Sequence, residues 1–366
     1  MISVLVVDDS AIIRKLVTEA LSEDSEIRVI GTAANGKLAL AKIDQLAPDL
    51  VTLDIEMPVM DGLQTLREIR RSRPKLPVIM FSTLTAAGAS ATLNALSAGA
   101  SDYVTKPSNT GSFAESRRSV REQLIPRIHA LCERRRPTAP IRRPPPPTTP
   151  AAVAAAAAKA AIRVEIIALG CSTGGPDALS KVVAGLPATL TVPIVVVQHM
   201  PALFTRMFAQ RLDRDSAIKV VEASDGMPLE RGVMYIAPGD RHLEVIRRGT
   251  AVLTRLHDGP PENYCRPAVD VLFRSVAHVY GGATLAVVLT GMGQDGRRGC
   301  EPLRAAGAEI VVQDEATSVV WGMPGSVAGA GLADAVLPLD QVAPHLVSRT
   351  ASGRNDKSTK AVMSWR

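Results

Sequence analysis

The chain has 366 residues, of which 46% are hydrophobic, and its 42 Lys or Arg against 36 Asp or Glu give a net charge of +6. This length suffices for two domains that each bury a core. No uninterrupted apolar run reaches 18 residues, and the N-terminus begins with a strand pattern in place of a charged-then-apolar leader, so we expect a cytoplasmic protein without membrane insertion.

The positive charge does not predict a nucleic-acid partner. Five arginines lie between positions 134 and 143, and the whole chain offers only two Trp, four Tyr and five Phe for stacking on bases. The four cysteines, Cys132, Cys171, Cys265 and Cys300, lack paired metal-ligand spacing. We therefore expect reduced thiols and no zinc site.

Residues 1–118 alternate strand and helix patterns. The predicted strands are Val4–Val7, Arg28–Gly31, Leu50–Leu53, Val78–Phe81 and Asp102–Val104. Helical patterns follow each of them, and five such βα units predict a doubly wound α/β domain with a parallel sheet.

Polar residues cluster where these strands end: Asp8, Asp9, Asp54, Ser82, Thr83 and Lys106. Three carboxylates brought together repel one another unless a cation joins them, and oxygen ligands favour Mg²⁺. Such a site suits phosphoryl transfer to a carboxylate, with Mg²⁺ and a lysine neutralising the phosphoryl oxygens. The alternative is that the aspartates cap helices or lie in turns, which the combined pattern disfavours.

Residues 119–161 read as a helix end followed by a flexible linker. The segment contains the arginine cluster, the run Pro144–Pro147 and the alanine tract Ala151–Ala158. Proline keeps such a chain extended, and too few large apolar groups are present to form a core. A second α/β domain is predicted over 162–349, followed by a polar tail, 350–366, that we expect to be disordered.

In this second domain, three buried-strand patterns of a parallel sheet end in chemistry-bearing residues. The run Ile166–Leu169 leads to Ser172, Ile194–Val197 leads to His199, and Leu285–Thr290 leads to Asp295. Ligand sites assemble at the carboxyl ends of such strands. An imidazole can take the proton of a serine hydroxyl, and a carboxylate can hold the imidazole in the required tautomer. The sequence thus favours a triad over three unrelated helix caps and turns.

Other segments have plainer interpretations. Residues 243–253 predict an antiparallel hairpin, and 258–266, rich in Pro and Gly, a loop beside the cleft. His242 and His257 do not follow parallel-strand runs and rank below His199 as bases. Cys171, next to Ser172, is interpreted as a small buried residue and not as the nucleophile.

Several motifs carry a resemblance to a known family. The segments 6–10, 54–62 and Lys106-Pro107 resemble a two-component receiver domain. The resemblance implies that Asp54 is the phosphoacceptor and that Asp8 and Asp9 bind Mg²⁺ with it. It further implies that Lys106 contacts the phosphoryl group, that Ser82, chosen over Thr83, is the switch hydroxyl, that Tyr103 is the aromatic that reorients, and that the Lys106-Pro107 bond is cis.

The second part resembles the catalytic domain of chemotaxis protein-glutamate methylesterases through five ordered motifs, at 170–175, 198–200, 266–273, 291–296 and 314–318. The family's triad matches Ser172, His199 and Asp295, with no cofactor in this domain. Backbone N–H groups near Thr173 and Met292 are candidates for the oxyanion hole.

The resemblance also implies the reaction and its control. The reaction is hydrolysis of glutamate γ-methyl esters on methyl-accepting chemotaxis receptors, with deamidation of receptor glutamines as a second activity. A chemotaxis histidine kinase is the implied phosphodonor, and phosphorylation of Asp54 is expected to relieve restriction of the catalytic cleft by the receiver.

Two other functions stay open on the residues alone. One is a phosphorylation-gated binding module, for which the sequence offers no helix-turn-helix or aromatic RNA-binding pattern. The other is a serine hydrolase acting on small molecules, because a triad reports the reaction type and not the substrate. A nucleotide-binding domain is disfavoured, since the segment 170–175 lacks the glycine spacing of phosphate-binding loops.

Overall fold

The computed structural model describes residues 1–107, 112–132 and 162–351. The chain divides into two compact units, which are described separately. Most of the predicted linker and tail lies outside the described residues. The exceptions are residues 119–132, which are helical, and Thr350 and Ala351, which belong to the last helix.

The first unit is built on a five-stranded sheet in the order β2-β1-β3-β4-β5, in which every pair is parallel. The strands are β1 Ile2–Val7, β2 Ile27–Ala33, β3 Leu50–Asp54, β4 Val78–Ser82 and β5 Asp102–Thr105. All residues of β3 and β4 are buried, as expected of central strands covered by helices on both faces. The predicted doubly wound architecture is confirmed.

Five helices connect and flank these strands: α1 Ala11–Leu21, α2 Gly36–Leu46, α3 Gly62–Ser72, α4 Ala86–Ser97 and α5 Phe113–Cys132. The first four begin at a side chain that accepts a hydrogen bond from the first turn: Ser10, Asn35, Asp61 and Thr85. Helix α5 buries Val120, Leu124 and Ile128, so residues after 118 still contribute to this unit.

The second unit contains a seven-stranded sheet in the order β14-β13-β12-β6-β7-β9-β8, again parallel throughout. Its strands are β6 Ile166–Cys171, β7 Ile194–Gln198, β8 Lys219–Glu222, β9 Val233–Ile236, β12 Thr284–Val288, β13 Glu309–Gln313 and β14 Ala335–Leu337. The predicted hairpin is present as β10 His242–Arg248 paired with β11 Ala251–His257, and it forms its own two-stranded sheet.

The helices of the second unit are α6 Gly175–Ala184, α7 Ala202–Asp215, α8 Val269–Tyr280, α9 Arg297–Ala305, α10 Gly322–Gly329 and α11 Leu339–Ala351. One core cluster joins the sheet to α8, α9 and α10 through residues such as Ala168, Phe273, Leu303 and Met323. None of the helices in the described ranges combines the length and the hydropathy needed to cross a bilayer.

The expectation of a cis Lys106-Pro107 bond is wrong. Over the described residues, the one cis peptide bond is Arg266-Pro267. The trans isomer is the lower-energy form even before proline, and Lys106 reaches its carboxylate partners with it.

Candidate active site

Three neighbouring strands of the seven-stranded sheet bring the predicted triad residues to one edge. Strand β6 lies between β12 and β7, where the order of connection along the chain reverses. Ser172 follows β6 and His199 follows β7, directly after the paired residues Cys171 and Gln198. Crevices at such reversal points are where open α/β sheets bind ligands.

His199 and Asp295 form a hydrogen-bonded pair. The His199 Nε2 and Asp295 Oδ2 atoms are 2.9 Å apart, and the side chains are 13% and 2% exposed. A carboxylate can only accept, so Nε2 carries the proton in the neutral ring and Nδ1 keeps its lone pair. Of the two ring nitrogens, Nδ1 is thus the one able to act as a base.

Asp295 is held by four further donors. Its Oδ2 accepts from the N–H of Val269 at 2.7 Å, and its Oδ1 accepts from the N–H of Asp270 and Gly296 and from Asn263 Nδ2 at 2.9–3.0 Å. Two of these N–H groups belong to the first turn of α8, where the helix dipole also favours a negative charge. The carboxylate therefore has one orientation.

These contacts shift the pKa values of the pair in opposite directions. Burial alone raises the pKa of Asp295, but His199 and the N–H groups of Val269 and Asp270 outweigh it and hold that pKa below its ordinary value. Burial lowers the pKa of His199, and the contacts with Asp295 and Cys265 outweigh it and raise that pKa above 6.5. Asp295 is thus anionic and stabilises the imidazolium.

The loop that precedes α8 supplies three contacts that sequence reasoning did not assign. Cys265 Sγ lies 3.5 Å from His199 Nδ1, the nitrogen that faces away from Asp295. Asn263 Nδ2 bridges Asp295 Oδ1 and Asp270 Oδ2 at 3.0 and 2.9 Å. The sequence showed only that this loop lies immediately before the 266–273 motif. No local pattern predicted which of its side chains point toward His199 and Asp295.

Asp270 is the second buried carboxylate beside the pair. It is fully buried, and its Oδ1 accepts from the N–H of Gly299 at 2.6 Å. Burial raises its pKa, and the charge of Asp295 adds to this effect. The Asn263 amide lies between the two carboxylates and donates to both, which reduces their mutual repulsion.

His242 holds the same loop through hydrogen bonds to its backbone and is not a base. It is buried; its Nδ1 accepts from the Ala268 N–H at 3.2 Å, and its Nε2 lies 3.0 Å from the Pro260 carbonyl oxygen. Both ring nitrogens are therefore used in holding the two ends of the loop. Burial lowers the pKa of His242, which keeps the ring neutral.

Ser172 and Thr173 lie in the turn between β6 and α6, and Thr173 is buried. The neighbouring Cys171 is buried in β6 with its Sγ 3.0 Å from Gln198 Oε1, and burial raises the pKa of its thiol. The interpretation of Cys171 as a buried structural residue is confirmed, because a thiol in this environment is not a thiolate nucleophile.

Met292 lies in the loop after β12, whose base is fixed by hydrogen bonds. Thr290 donates to Gln313 and exchanges hydrogen bonds with Val320, and the Gly291 N–H donates to the Val320 carbonyl at 3.0 Å. Within the described residues, no acceptor meets the Met292 N–H. This N–H group is therefore not used to hold the loop.

In the first unit, Lys106 joins two of the predicted acidic residues. Its Nζ lies 2.9 Å from Asp8 Oδ2 and 2.8 Å from Asp54 Oδ1. Asp54 Oδ1 also accepts from the Ile55 N–H, whereas Asp54 Oδ2 is buried and meets no hydrogen-bond donor among the described residues. One oxygen of Asp54 is therefore hydrogen-bonded, and the other is buried without a donor among these residues.

The acidic residues suit a divalent cation. Carboxylate oxygens of Asp8, Asp9 and Asp54 lie within 4.8 Å of one another, and hard oxygen ligands are those that Mg²⁺ prefers. Burial raises the pKa of Asp54 to about 6 and also raises that of Asp8, while Lys106 partly opposes this. A bound cation would stabilise both carboxylates, and the buried Asp54 Oδ2, which meets no donor among the described residues, fits this use.

The predicted switch residues lie on β4 and β5, the two strands that follow β3 across the sheet. Ser82 is the last residue of β4, and its buried hydroxyl donates to the Gly88 carbonyl at 3.1 Å and accepts from Thr92 Oγ1 at 2.7 Å. Thr83 is half-buried and its hydroxyl lies 3.1 Å from that of Thr85. Tyr103 is buried in β5, which raises the pKa of its phenol.

Comparison with known proteins agrees with this architecture. Residues 4–116 match the response regulator receiver domain, and residues 167–346 match CheB methylesterase. The crystal structure of the Thermotoga maritima CheB methylesterase catalytic domain is similar to the second unit. It superposes with a TM-score of 0.50 at 42% identity, over 51% of this chain and 99% of that one.

Two curated relatives match nearly the whole chain. Both are described as protein-glutamate methylesterase/protein-glutamine glutaminase. The protein from Nocardioides sp. is 55% identical over 96% of both chains, and that from Trichodesmium erythraeum is 49% identical over 94% of this chain and 98% of its own. The chain therefore belongs to the CheB methylesterase family, in the form that carries an N-terminal receiver domain.

Proposed function

We propose that this protein is a phosphorylation-activated serine hydrolase that demethylates glutamate γ-methyl esters on methyl-accepting chemotaxis receptors. The observation that carries the proposal is the His199–Asp295 pair at the end of the strands next to Ser172, in a chain of the CheB methylesterase family. The receptor segments concerned are cytoplasmic, so the enzyme works in the cytoplasm, and no nucleic-acid partner is involved.

The chemistry follows from the available nitrogen of His199. Nδ1 takes the proton of the Ser172 hydroxyl, and Ser172 Oγ attacks the ester carbonyl carbon. Asp295 stabilises the imidazolium through Nε2. The imidazolium then returns the proton to the leaving methoxide, methanol departs, and water activated by the same nitrogen hydrolyses the acyl-enzyme to free glutamate.

Backbone N–H groups near Met292 and Thr173 are the proposed oxyanion hole. The Met292 N–H supports this role because it meets no acceptor within the described part of the chain. Loss of one such donor typically costs about 10²–10³ in rate. Glutamine deamidation uses the same steps with ammonia as the leaving group, which gives the enzyme its second activity.

We assign control of the hydrolase activity to the acidic site of the receiver domain. A chemotaxis histidine kinase supplies the phosphoryl group to Asp54, and the Lys106 ammonium 2.8 Å from Asp54 Oδ1 supports this assignment. Asp8, Asp9 and Asp54 would hold Mg²⁺, which neutralises phosphoryl charge when bound. Lys106 contacts the phosphoryl group, and Ser82 and Tyr103 respond to it. An Asp54→Asn variant should keep basal hydrolysis and lose activation by a small phosphodonor; equal activation of variant and wild type would refute this control.

The test of the activity is methanol release from a methylated receptor cytoplasmic fragment, with and without Mg²⁺ plus a phosphodonor. Ser172→Ala should abolish release, while Ser348→Ala, which removes an exposed hydroxyl on α11, should not change it. Release by wild type that persists in Ser172→Ala would assign the nucleophile elsewhere. Absence of release from wild type under either condition would favour another ester substrate or a binding role.

A further inference from the structure

The tip of the loop before α8 is a tight turn with an unusual residue at its second central position. Glu262 and Cys265 exchange two backbone hydrogen bonds, at 3.0 and 2.9 Å, and enclose Asn263 and Tyr264. Both enclosed residues have positive φ, 52° and 63°. This is the φ pattern of a type I′ turn, which favours Asn followed by Gly.

Asn263 meets that preference, and Tyr264 does not. A bulky side chain at positive φ is a genuine backbone outlier, because its Cβ crowds the neighbouring carbonyl. Such strain persists when surrounding contacts impose it, and it concentrates at functional sites. Here the contacts that hold the turn in this conformation are those of Asn263 with Asp295 and of Cys265 with His199.

The Tyr264 side chain gains no packing from this strained position. It is fully exposed, with a relative accessibility of 103%. In the described part of the second unit, the one other large apolar side chain that stays exposed is Ile162, at the beginning of that unit. The fold therefore holds an exposed aromatic ring one residue away from a side chain that touches the catalytic base.

The surface beside the turn has the charge to receive an acidic segment. A cavity of about 530 Å³ is lined by Asn263, the Glu262–Arg274 ion pair, Glu301 and the exposed Arg297 and Arg298 of α9, so its arginines outnumber its carboxylates by one. A receptor segment whose glutamate esters have been hydrolysed carries carboxylates, which these arginines attract. Aromatic rings and arginines are the side chains that most often anchor protein contacts.

We infer that Tyr264 is a substrate-contact residue that packs against the receptor segment next to the ester being hydrolysed. The inference rests on the proposed function and adds the surface that selects a protein substrate over a small ester. On this assignment, the hydrolysis of a small ester at Ser172 does not depend on the ring.

Replacement by glycine separates contact from structure, because Tyr264→Gly removes the ring and relieves the strain. In the full-length protein, we expect Tm of the second unit to rise by about 2–4 °C. KM for a methylated receptor fragment should rise by about tenfold or more, while kcat/KM for p-nitrophenyl acetate stays unchanged. Tyr264→Phe should behave like wild type with both substrates, and so should Arg248→Ala, at the far end of the β10–β11 hairpin.

Each other outcome overturns the assignment in a distinct way. An unchanged KM for the receptor fragment would exclude a substrate contact and leave the proposed function intact. A parallel loss with both substrates would mean that residue 264 acts through the geometry of Asn263 and Cys265. If the wild type hydrolyses p-nitrophenyl acetate but not the receptor fragment, the receptor is not the substrate. Tyr264 is then not a receptor contact either.

Discussion

His199 Nε2 lies 2.9 Å from Asp295 Oδ2, and this contact leaves Nδ1 as the nitrogen that can accept a proton from serine. Asp295 imposes the tautomer because a carboxylate only accepts hydrogen bonds. The four N–H donors around Asp295 fix the direction from which it contacts the ring.

Asp295→Asn should lower kcat by about 10⁴-fold. Three donors converge on Oδ1, so the amide NH₂ group would occupy the Oδ2 position and meet His199. The ring would then accept at Nε2 and carry its proton on Nδ1, which is the wrong tautomer for a base. Steady-state methanol release measures the effect. Asp258→Asn, at an exposed carboxylate, is the control, and a loss smaller than tenfold would contradict the assigned role.

The ascending limb of the pH profile of kcat/KM should have its midpoint above 6.5, because the contacts of His199 raise its pKa. His199 acts as a base only when neutral, so activity is lost as pH falls through that pKa. Cys265→Ala removes one of the groups that raise the pKa and should move the midpoint to lower pH. A midpoint that stays in place would show that Cys265 does not interact with the imidazole, and an upward move would show that its thiol donates to Nδ1 of the neutral ring.

Asn263→Gly should reduce both stability and rate while preserving the turn, since glycine accepts positive φ. It leaves buried Asp270 Oδ2 without its amide donor, which costs about 1.5–3 kcal/mol of unfolding free energy. The loss of one donor to Asp295 should lower kcat by about tenfold. Asn263→Asp should be more severe, because it places a third carboxylate beside Asp270 and Asp295. If the aspartate variant is as active as wild type, the bridging role is wrong.

Gly170→Ala should destabilise the second unit by about 1–3 kcal/mol. A Cβ at this position in β6 would lie 2.4 Å from Cγ1 of Val269, whose N–H holds Asp295. Gly329→Ala is the matched control: it meets nothing within 4 Å and should stabilise α10 by about 0.5–1 kcal/mol. Calorimetric unfolding of both variants measures whether the two changes in unfolding free energy have opposite signs. Equal changes would show that the contact with Val269 does not restrict residue 170 to glycine.

The sequence by itself determined the two α/β units and the strands that carry their functional residues. Continuous apolar runs such as Ile194–Val197 predict buried parallel strands, and residues directly after them lie at the carboxyl edge of the sheet. That is why Asp54, Lys106, His199 and Asp295 could be named from local pattern alone. The residue types indicated a serine triad and a phosphoryl-transfer site, and the resemblance to receiver and methylesterase motifs singled out Asp54 as the phosphoacceptor and implied the ester substrate.

The tertiary structure alone decided which atoms meet. Asn263 and Asp295 are 32 positions apart, and His242 contacts Ala268 across 26 positions, so no local pattern contains these pairs. The nitrogen of His199 that faces Asp295, the unpaired oxygen of Asp54 and the exposed ring of Tyr264 depend likewise on packing between distant segments. Hydrophobic periodicity specifies which face of an element is buried, whereas hydrogen-bond direction is fixed only when several elements pack together.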